Sequence, residues 1–233
     1  MLHPLCDAPI GIVGVTGRLG SAVAELCAEV GVTVATVATR SEWTAGPQDP
    51  AVIVDASCVE ALPDTLDYCR RTRCALVYCA SGLTAEDRRE LQRLAAEVPV
   101  VVAANLSPLH WIQEQNVRTA VALIGSIGID VESTVIERHP TTKRDAPSAT
   151  AVVLADGLPA STTTISERYG ARVSDHRVVL TCLSETYELS HSVRDLRLAA
   201  VGAIALGGRL ATAEPGMYTT AELFGSLDSV RES

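Results

Sequence analysis

The spacing of apolar residues changes about halfway along the chain. In the first half, continuous apolar runs ("APIGIVGV", "VTVATVA", "AVIVDAS", "CALVYCA" and "VPVVVAA") are separated by longer, mixed stretches. Continuous apolar runs are typical of parallel strands that are covered on both faces. The stretch after the first run has helical periodicity and ends at Gly31, and "TAEDRRELQRLAAE" begins with a Thr84/Asp87 capping box. The pattern predicts a Rossmann-like doubly wound parallel sheet that ends near Asn105.

The second half of the chain has a different pattern of apolar and polar residues. "VALIGSIGIDVESTVIERH" and "HRVVLTCLSETYELSHSV" alternate apolar and polar residues, as antiparallel strands with one wet face do. We expect a helix from about Ser148 to Asp156 between them, and the apolar helix "LRLAAVGAIALGGRLA" to return to the first domain. The prediction is therefore a dinucleotide-binding domain over 1–107, completed by 195–233. A smaller α+β domain with a mixed or antiparallel sheet, for substrate binding and oligomerisation, is predicted over 108–194.

Charge and composition narrow the classes of function. The chain has 233 residues, is 47% hydrophobic and carries a formal net charge of −9 without a basic run. Nucleic acids and anionic membranes both attract clustered Lys and Arg, so neither is an expected partner. Seven scattered cysteines form no CxxC pair, so we expect no disulfide framework and no metal site. A cytoplasmic protein with a small-molecule substrate is the resulting expectation.

A glycine-rich turn follows the first predicted strand. Gly14, Gly17 and Gly20 in "GVTGRLG" have GxxGxxG spacing, with Thr16 at the middle position of the usual fingerprint. Glycines at a strand–helix turn let the backbone approach a pyrophosphate, which the helix N-terminus then holds. The alternative is that these glycines serve only tight packing. Their place at the start of a doubly wound sheet favours dinucleotide binding.

The end of the second predicted strand bears on which nicotinamide cofactor is used. An acidic residue that binds the ribose hydroxyls is usual here in NAD-binding proteins. "VATRSEW" offers Thr39 and Arg40 instead. A cation beside hydroxyl groups suits a 2′-phosphate, so NADPH is favoured and NADH stays possible. The alternative is that Arg40 is an ordinary solvated surface residue.

The segment "ERHPTTKRDAPSATA", residues 137–151, predicts a second site. Ser148 begins a helix, so free backbone N–H groups and the hydroxyls of Ser148 and Thr150 converge on a seat for a carboxylate. His139 and Lys143, four residues apart, are placed to supply a proton and a positive charge. Lys143 is the only lysine of the chain, against eighteen arginines. The alternative is that His139 and Lys143 are solvated surface residues without a functional role.

These two motifs together resemble a known family. "VGVTGRLG" and "ERHPTTKRDAPSATA" are similar to the motifs of 4-hydroxy-tetrahydrodipicolinate reductase (dihydrodipicolinate reductase) of lysine biosynthesis, whose signature is E-x-H-H-x-x-K-x-D-A-P-S-G-T-A. "VDAS", "CASG", "AANLS" and "ETYELSH" follow in the family's order. The resemblance thus covers nearly the whole chain.

The resemblance implies roles for individual residues. His139 is implied as proton donor or electrostatic stabiliser, and Lys143 as a residue that assists protonation and holds the substrate. A homotetramer built through the sheet of the second domain is also implied. Ser148 and Thr150 are implied to bind the substrate carboxylate, and Gly14, Gly17, Arg18 and Gly20 are implied to line the cofactor. We further predict that Pro140 and Ala149 lie at the substrate and that the following residues bind the cofactor: Thr16, Leu19, Arg40, Ser57, Ala80, Ser81, Gly82 and Asn105.

Several positions depart from the family pattern. Pro140 replaces the second histidine, Ala149 replaces the glycine of S-G-T, and "SPLHW" replaces the usual S-V-G-V. "CASG" lacks the first glycine of G-T-T-G, and Arg194 and Arg197 both miss the register of the arginine expected after His191. The substrate side has changed more than the cofactor side. We therefore expect a divergent member that acts on another cyclic imine or unsaturated amino acid.

Three functions remain open at this point. The first is an NADPH-dependent reductase that delivers hydride to a C=N or conjugated C=C bond of a carboxylate-bearing substrate. The second is a dehydratase or cyclase that uses His139 and Lys143 as acid and base. The third is a non-catalytic nucleotide-binding sensor, and the retained set of His139, Lys143, Ser148 and Thr150 speaks against it.

Overall fold

The computed structural model describes residues 6–40, 42–46, 48–103, 105–170 and 173–225. The chain divides into two compact units. The first comprises Met1–Ser107 together with Leu196–Ser233, and the second comprises Pro108–Asp195.

The described residues form strands and α-helices in both units. The strands are β1 (Ile10–Val13), β2 (Val34–Ala38), β3 (Trp43–Ala45), β4 (Val52–Asp55), β5 (Ala75–Tyr78), β6 (Pro99–Val102), β7 (Glu132–His139), β8 (Thr163–Arg168), β9 (Ser174–Cys182), β10 (Glu185–Val193) and β11 (Gly216–Tyr218). The helices are α1 (Arg18–Val30), α2 (Leu62–Thr72), α3 (Ala85–Ala95), α4 (Pro108–Ser126), α5 (Ala149–Asp156), α6 (Arg197–Leu210) and α7 (Thr220–Phe224).

The sheet of the first unit has the strand order β11-β6-β5-β4-β1-β2-β3. Its pairings are parallel except for the antiparallel pairing of β3 with β2. β1 lies between β2 and β4, so the chain leaves β1 in one direction and later returns on its other side. Such a switch point opens a crevice at the carboxyl ends of the strands, where ligands bind in open α/β sheets.

Helices cover both faces of this sheet. On one face, Val23 and Leu26 of α1 and Ile204 of α6 share an apolar cluster with β1 and β4. On the other face, Leu66 of α2 and Leu94 of α3 pack in a second cluster. The predicted doubly wound sheet and the Thr84/Asp87 capping box are therefore confirmed. The C-terminal helix α6 belongs to the first unit.

The sheet of the second unit has the order β10-β9-β7-β8. β7 pairs parallel with β8 and antiparallel with β9, and β9 pairs antiparallel with β10. Val135 and Val178 on its buried face pack against Val117 of α4 and Leu154 of α5. The predicted mixed sheet is thus confirmed. At the end of β7 the buried residues are polar, Glu137 and His139. The candidate active site of this unit lies there.

One predicted strand is wrong. Residues 121–126, expected to begin an alternating strand, form the last turns of α4. The buried residues of this helix are His110, Gln113 and Val117, whereas Leu123 is 64% exposed. Because polar residues are buried here and apolar residues are exposed, the apolar positions in the sequence do not show the periodicity of an amphipathic helix.

Within the described residues, no helix is both long and apolar enough to cross a membrane.

Candidate active site

A cavity of about 810 Å³ lies in the first unit, where β1, β2 and β4 end. Five of the predicted cofactor-binding residues line it: Gly14, Thr16, Gly17, Arg40 and Ser57. Arg18, Leu19 and Gly20 belong to the first turns of α1. Ala80, Ser81 and Gly82 follow β5, and Asn105 follows β6. None of these seven residues is among the described residues that line the cavity. The cofactor-binding role of all twelve residues stays a prediction.

The glycines shape the wall of this cavity. Gly14 has a φ of +79°, and a Cβ placed on it would lie 2.8 Å from the Cα of Ser57. A Cβ on Gly20 would lie 2.2 Å from the carbonyl oxygen of Gly14. Gly17 is the N-cap of α1 and donates its N–H to that same carbonyl. The bare backbone that a pyrophosphate needs is therefore present, so the turn fits a dinucleotide.

Asp55, at the end of β4, holds Ser57 against the glycine turn. Its fully buried carboxylate accepts hydrogen bonds from the N–H and hydroxyl of Ser57 and from the hydroxyl of Thr65. Burial raises the pKa of Asp55, and these hydrogen bonds oppose the rise. Asp55 lies in "VDAS" but is not among the predicted site residues. The signal for it in the sequence is an acidic residue at the end of an apolar strand.

Two glycine substitutions separate close packing from backbone strain. Gly14 and Gly31 both have positive φ, +79° and +77°, but no atom lies within 4 Å of a Cβ placed on Gly31. Alanine should strain the backbone at both positions. We expect Gly14→Ala to lower the free energy of unfolding by roughly 1 to 3 kcal/mol more than Gly31→Ala does, because it also overpacks against Ser57. Urea unfolding of both variants measures this difference in the free energy of unfolding. Equal destabilisation by the two substitutions would contradict the close approach of Gly14 to Ser57.

The cavity wall carries charges of both signs. Arg40 lies there with Glu42, Glu60 and Asp64. The pKa of Glu60 is lowered, chiefly by a hydrogen bond from Cys58 and to a smaller extent by the charge of Arg40. Trp43 also lines the cavity and stacks on Tyr68 with ring centroids 4.5 Å apart. The predicted contact between Arg40 and a cofactor phosphate would therefore be weakened by these acidic neighbours.

The second unit brings His139 beside a buried carboxylate. His139 ends β7 and is 7% exposed, and Glu137, two residues earlier on the same face, is fully buried. Nε2 of His139 lies 3.2 Å from Oε2 of Glu137, without the alignment of a hydrogen bond. Burial lowers the pKa of His139, Glu137 opposes this, and the charges of Lys143 and Arg168 lower it further. Burial and these two cations therefore favour the neutral imidazole.

Glu137 is held by several donors at once. Oε1 accepts hydrogen bonds from Ser166 and Arg168, both at 2.7 Å, and the backbone N–H of Ser148 lies 3.1 Å from each carboxylate oxygen. Burial raises the pKa of Glu137, but these hydrogen bonds outweigh it and lower the pKa to about 2. The carboxylate is thus a permanent charge at the centre of the site. Glu137 is not among the predicted site residues, although it begins the motif "ERHPTTKRDAPSATA" and lies two residues before His139 on the same strand.

Lys143 lies in the turn after β7. Its N–H donates to the carbonyl of Pro140 at 3.0 Å, and its Nζ lies 2.9 Å from a carboxylate oxygen of Asp145. The Lys143 side chain is 30% exposed. The peptide bond between Ala146 and Pro147 is cis. The structure thus places both predicted catalytic residues in one strand–turn segment.

The start of α5 differs from the expected carboxylate seat in one respect. Ser148 is the N-cap, but it is only 2% exposed, and its N–H is already taken by Glu137. Its hydroxyl accepts the N–H of Ala151 and lies 3.3 Å from Nε2 of His176. The next two residues, Ala149 and Thr150, belong to the first turn of α5. Their binding of a substrate carboxylate stays a prediction, and Ser148 caps the turn.

Further histidines lie behind His139. His110, His176 and His191 are all buried, and their pKa values are lowered mainly by burial, to about 4 for His110 and about 3 for His176. The rings of His139 and His176 meet edge to face, 5.1 Å apart. None of these three histidines was predicted as a site residue. They come from α4, β9 and β10, so only the fold brings them together.

The expected absence of a metal stays a prediction. Glu137, His139 and His176 each place one possible ligand atom within 4.8 Å of the others. The Arg168 guanidinium already binds Glu137, and a dication at this point would be repelled by it. We therefore do not assign these residues as metal ligands.

The two candidate arginines after His191 have protein partners. Arg194 pairs with Asp175, which also accepts from Arg138. Arg197, in the first unit, pairs with Glu29. The choice between them as a substrate-binding residue stays open.

Family models match almost the whole chain. The model described as "Dihydrodipicolinate reductase, N-terminus" matches residues 8–106, and "Dihydrodipicolinate reductase, C-terminus" matches residues 112–224. The 4-hydroxy-tetrahydrodipicolinate reductase of Gluconobacter oxydans (strain 621H) is 31% identical over 252 residues, covering 94% of this chain and 98% of the relative. The enzyme of the same name from Thermosipho africanus (strain TCF52B) is 28% identical and covers 90% and 94%.

Solved structures show the same fold. A dipicolinate-bound dihydrodipicolinate reductase from Paenisporosarcina sp. TG-14 superposes with a TM-score of 0.72 at 15% identity, covering 91% of this chain and 97% of that one. An engineered D-amino acid dehydrogenase bound to NADP+ gives a TM-score of 0.54 at 12% identity and covers 97% and 99%. At these identities the likeness concerns the fold alone.

Proposed function

Because the chain belongs to the dihydrodipicolinate reductase family, we propose that it is an NADPH-dependent reductase of a C=N or conjugated C=C bond. Family membership makes it a pyridine-nucleotide-dependent reductase. The proposed substrate is a cyclic imine or unsaturated amino acid that carries a carboxylate. The observation that carries this proposal is the joining of His139, Lys143 and the first turn of α5 in one segment of the second unit.

The residues have separate tasks in the proposed reaction. The cofactor, when bound, supplies the hydride, and the glycine turn with Arg40 would hold its phosphates. The N–H groups of Ala149 and Thr150 would bind the substrate carboxylate, with the Lys143 ammonium beside it. Proton delivery to the reduced bond falls to the His139–Lys143 pair. The dipicolinate bound to the related structure is itself a dicarboxylate, which supports an anionic substrate.

Pro140 and Ala149 support an altered substrate. Pro140 has no side-chain donor, and Ala149 adds a methyl group at the first N–H of α5. We propose that this chain prefers a substrate other than the dihydrodipicolinate-pathway intermediate, as in a specialised biosynthetic route. A homotetramer, a cytoplasmic location and the lack of nucleic-acid or membrane partners stay predictions.

Cofactor choice depends on Arg40. We expect the wild-type protein to bind NADPH more tightly than NADH, and Arg40→Glu to narrow or reverse that preference. A charge-assisted phosphate contact contributes roughly 1.5 to 3 kcal/mol, and the acidic neighbours of Arg40 favour the lower end. Quenching of Trp43 fluorescence measures both dissociation constants. Arg89→Glu, at an exposed position of α3, is the control with the same charge change. Equal wild-type constants for NADPH and NADH would refute a role for Arg40.

Absorbance of NADPH distinguishes the proposed function from its alternatives. The protein is incubated with NADPH and a panel of cyclic imines and unsaturated amino acids with one or two carboxylates. Loss of absorbance together with product formation supports the reductase. Product without absorbance loss selects the dehydratase or cyclase, and cofactor binding without any product selects the sensor.

A further inference from the structure

The wall of the cavity in the first unit includes an aromatic surface. Trp43 lines this cavity and stacks on Tyr68 of α2, with the ring centroids 4.5 Å apart and the two ring planes at 15° to each other. Tyr68 is not among the described residues that line the cavity. One face of the indole is therefore covered by Tyr68, and the indole surface that borders the cavity is the part that Tyr68 leaves uncovered.

Strand pairing places Trp43 at the carboxyl end of β2. Trp43 begins β3 and pairs with Ala38, the last residue of β2. The N–H of Thr39 donates to the carbonyl of Glu42 at 2.9 Å and closes the turn between the two strands. Directly opposed residues of an antiparallel pair project their side chains from the same face of the sheet. The indole consequently lies on the α2 face, next to the turn that carries Arg40.

Tyr68 is itself held in place beneath the indole. Its hydroxyl lies 3.1 Å from the hydroxyl of Thr36, which is 3% exposed. The guanidinium carbon of Arg71 lies 5.4 Å from the centroid of the Tyr68 ring. A surface whose side chains are already fixed loses little conformational entropy when a ligand binds. The Trp43–Tyr68 stack is therefore a preorganised flat surface.

This surface lies where the base of a dinucleotide is expected. The pyrophosphate binds at the glycine turn, and the adenosine ribose binds at the end of the second strand. Because that ribose links the pyrophosphate to the base, the base lies beyond the end of β2 as viewed from the glycine turn. A planar base stacks on an aromatic ring through its π-face. We propose that the indole of Trp43 is the surface on which the adenine of the nucleotide cofactor stacks.

This inference rests on the proposed function for the identity of the ligand, but its test needs no turnover. The probe is adenosine 2′,5′-bisphosphate, which carries the base and the 2′-phosphate but no nicotinamide and therefore no transferable hydride. Turnover without stacking would contradict the stacking alone. Stacking of the probe without NADPH oxidation on any substrate would contradict the proposed function alone.

Fluorescence and NMR report the contact directly. The chain has two tryptophans, so Trp111→Phe leaves Trp43 as the single one. We expect the probe to quench the fluorescence of this variant. We also expect transferred nuclear Overhauser effects between the indole protons and the H2 or H8 proton of adenine. Saturable binding of the probe without these effects, or no binding at all, would overturn the proposal.

Calorimetry of variants provides an independent measurement. Trp43→Ala should weaken binding of the probe about 5- to 150-fold, the usual effect of removing a base-stacking aromatic residue, and Trp43→Phe should recover most of the affinity. Tyr218→Ala is the control, because it removes an aromatic ring from β11 at the opposite edge of the same sheet. It should leave the dissociation constant unchanged.

The two nicotinamide cofactors distinguish stacking from phosphate recognition. Both carry adenine, so Trp43→Ala should weaken NADPH and NADH by the same factor, whereas Arg40→Glu should change their ratio. Unchanged affinity for the probe in folded Trp43→Ala would show that Trp43 only packs against α2. If that variant fails to fold, the spectra of Trp111→Phe with the probe still decide.

Discussion

Replacing Lys143 by arginine should lower turnover by about 10²- to 10⁴-fold and leave NADPH binding unchanged, because a proton donor contributes this much to a reduction. Arginine retains the positive charge but stays protonated, whereas the pKa of a lysine ammonium falls readily enough for it to release a proton. The Lys143 side chain is 30% exposed and pairs with Asp145, so an arginine has room to fit. Steady-state kinetics give turnover, and fluorescence titration gives the NADPH dissociation constant.

Three further variants show whether the loss of turnover in Lys143→Arg reflects proton transfer or charge. Lys143→Met should be at least as damaging and should also weaken substrate binding, since it removes the charge. Arg144→Lys, at the exposed next position, should be close to wild type, and Lys143→Arg combined with Arg144→Lys should not recover turnover. Near-normal turnover of Lys143→Arg would show that only the charge matters, and His139 would then be the remaining candidate acid.

Restoring two family residues should raise activity on the dihydrodipicolinate-pathway intermediate. We expect weak or absent activity in the wild-type protein, and a gain of roughly tenfold to hundredfold in Pro140→His with Ala149→Gly. The histidine would add a charge-assisted contact of about 1.5 to 3 kcal/mol, and the glycine would let a carboxylate approach the first turn of α5. The measured quantity is kcat/KM for that intermediate.

A control variant distinguishes the effect of Ala149→Gly on the pocket from its effect on the stability of α5. Glycine within α5 weakens the helix by up to about 1 kcal/mol relative to alanine, so Ala155→Gly in the same helix reports that cost alone. It should leave kcat/KM nearly unchanged. Wild-type activity comparable to that of ordinary family members would refute the altered pocket.

The first unit could be predicted well because its sequence obeys simple rules. Buried parallel strands such as Val52–Asp55 are continuously apolar, and α3 begins with a capping box that is visible in the sequence. The glycine turn was recognisable because Gly14 and Gly20 are required by the close approach of backbone atoms. Local patterns therefore sufficed there.

The second unit resisted prediction because its decisive contacts are not local. α4 buries His110 and Gln113 and exposes Leu123, which reverses the usual pattern of an amphipathic helix. Glu137 meets Arg168 only because β7 and β8 pair in parallel register, an arrangement that no short window of sequence contains. The motif thus located His139 and Lys143 but not the carboxylate that fixes their environment.

The most direct test of the proposed hydride transfer follows an isotope. The wild-type protein is supplied with NADPH deuterated at the transferable position of the nicotinamide and with the cyclic imine carboxylate that it consumes fastest. We expect one deuterium on the reduced carbon of the product for each NADPH oxidised, as measured by mass spectrometry and NMR. Product that forms without deuterium, while the labelled NADPH stays intact, would contradict the assignment of this protein as a reductase.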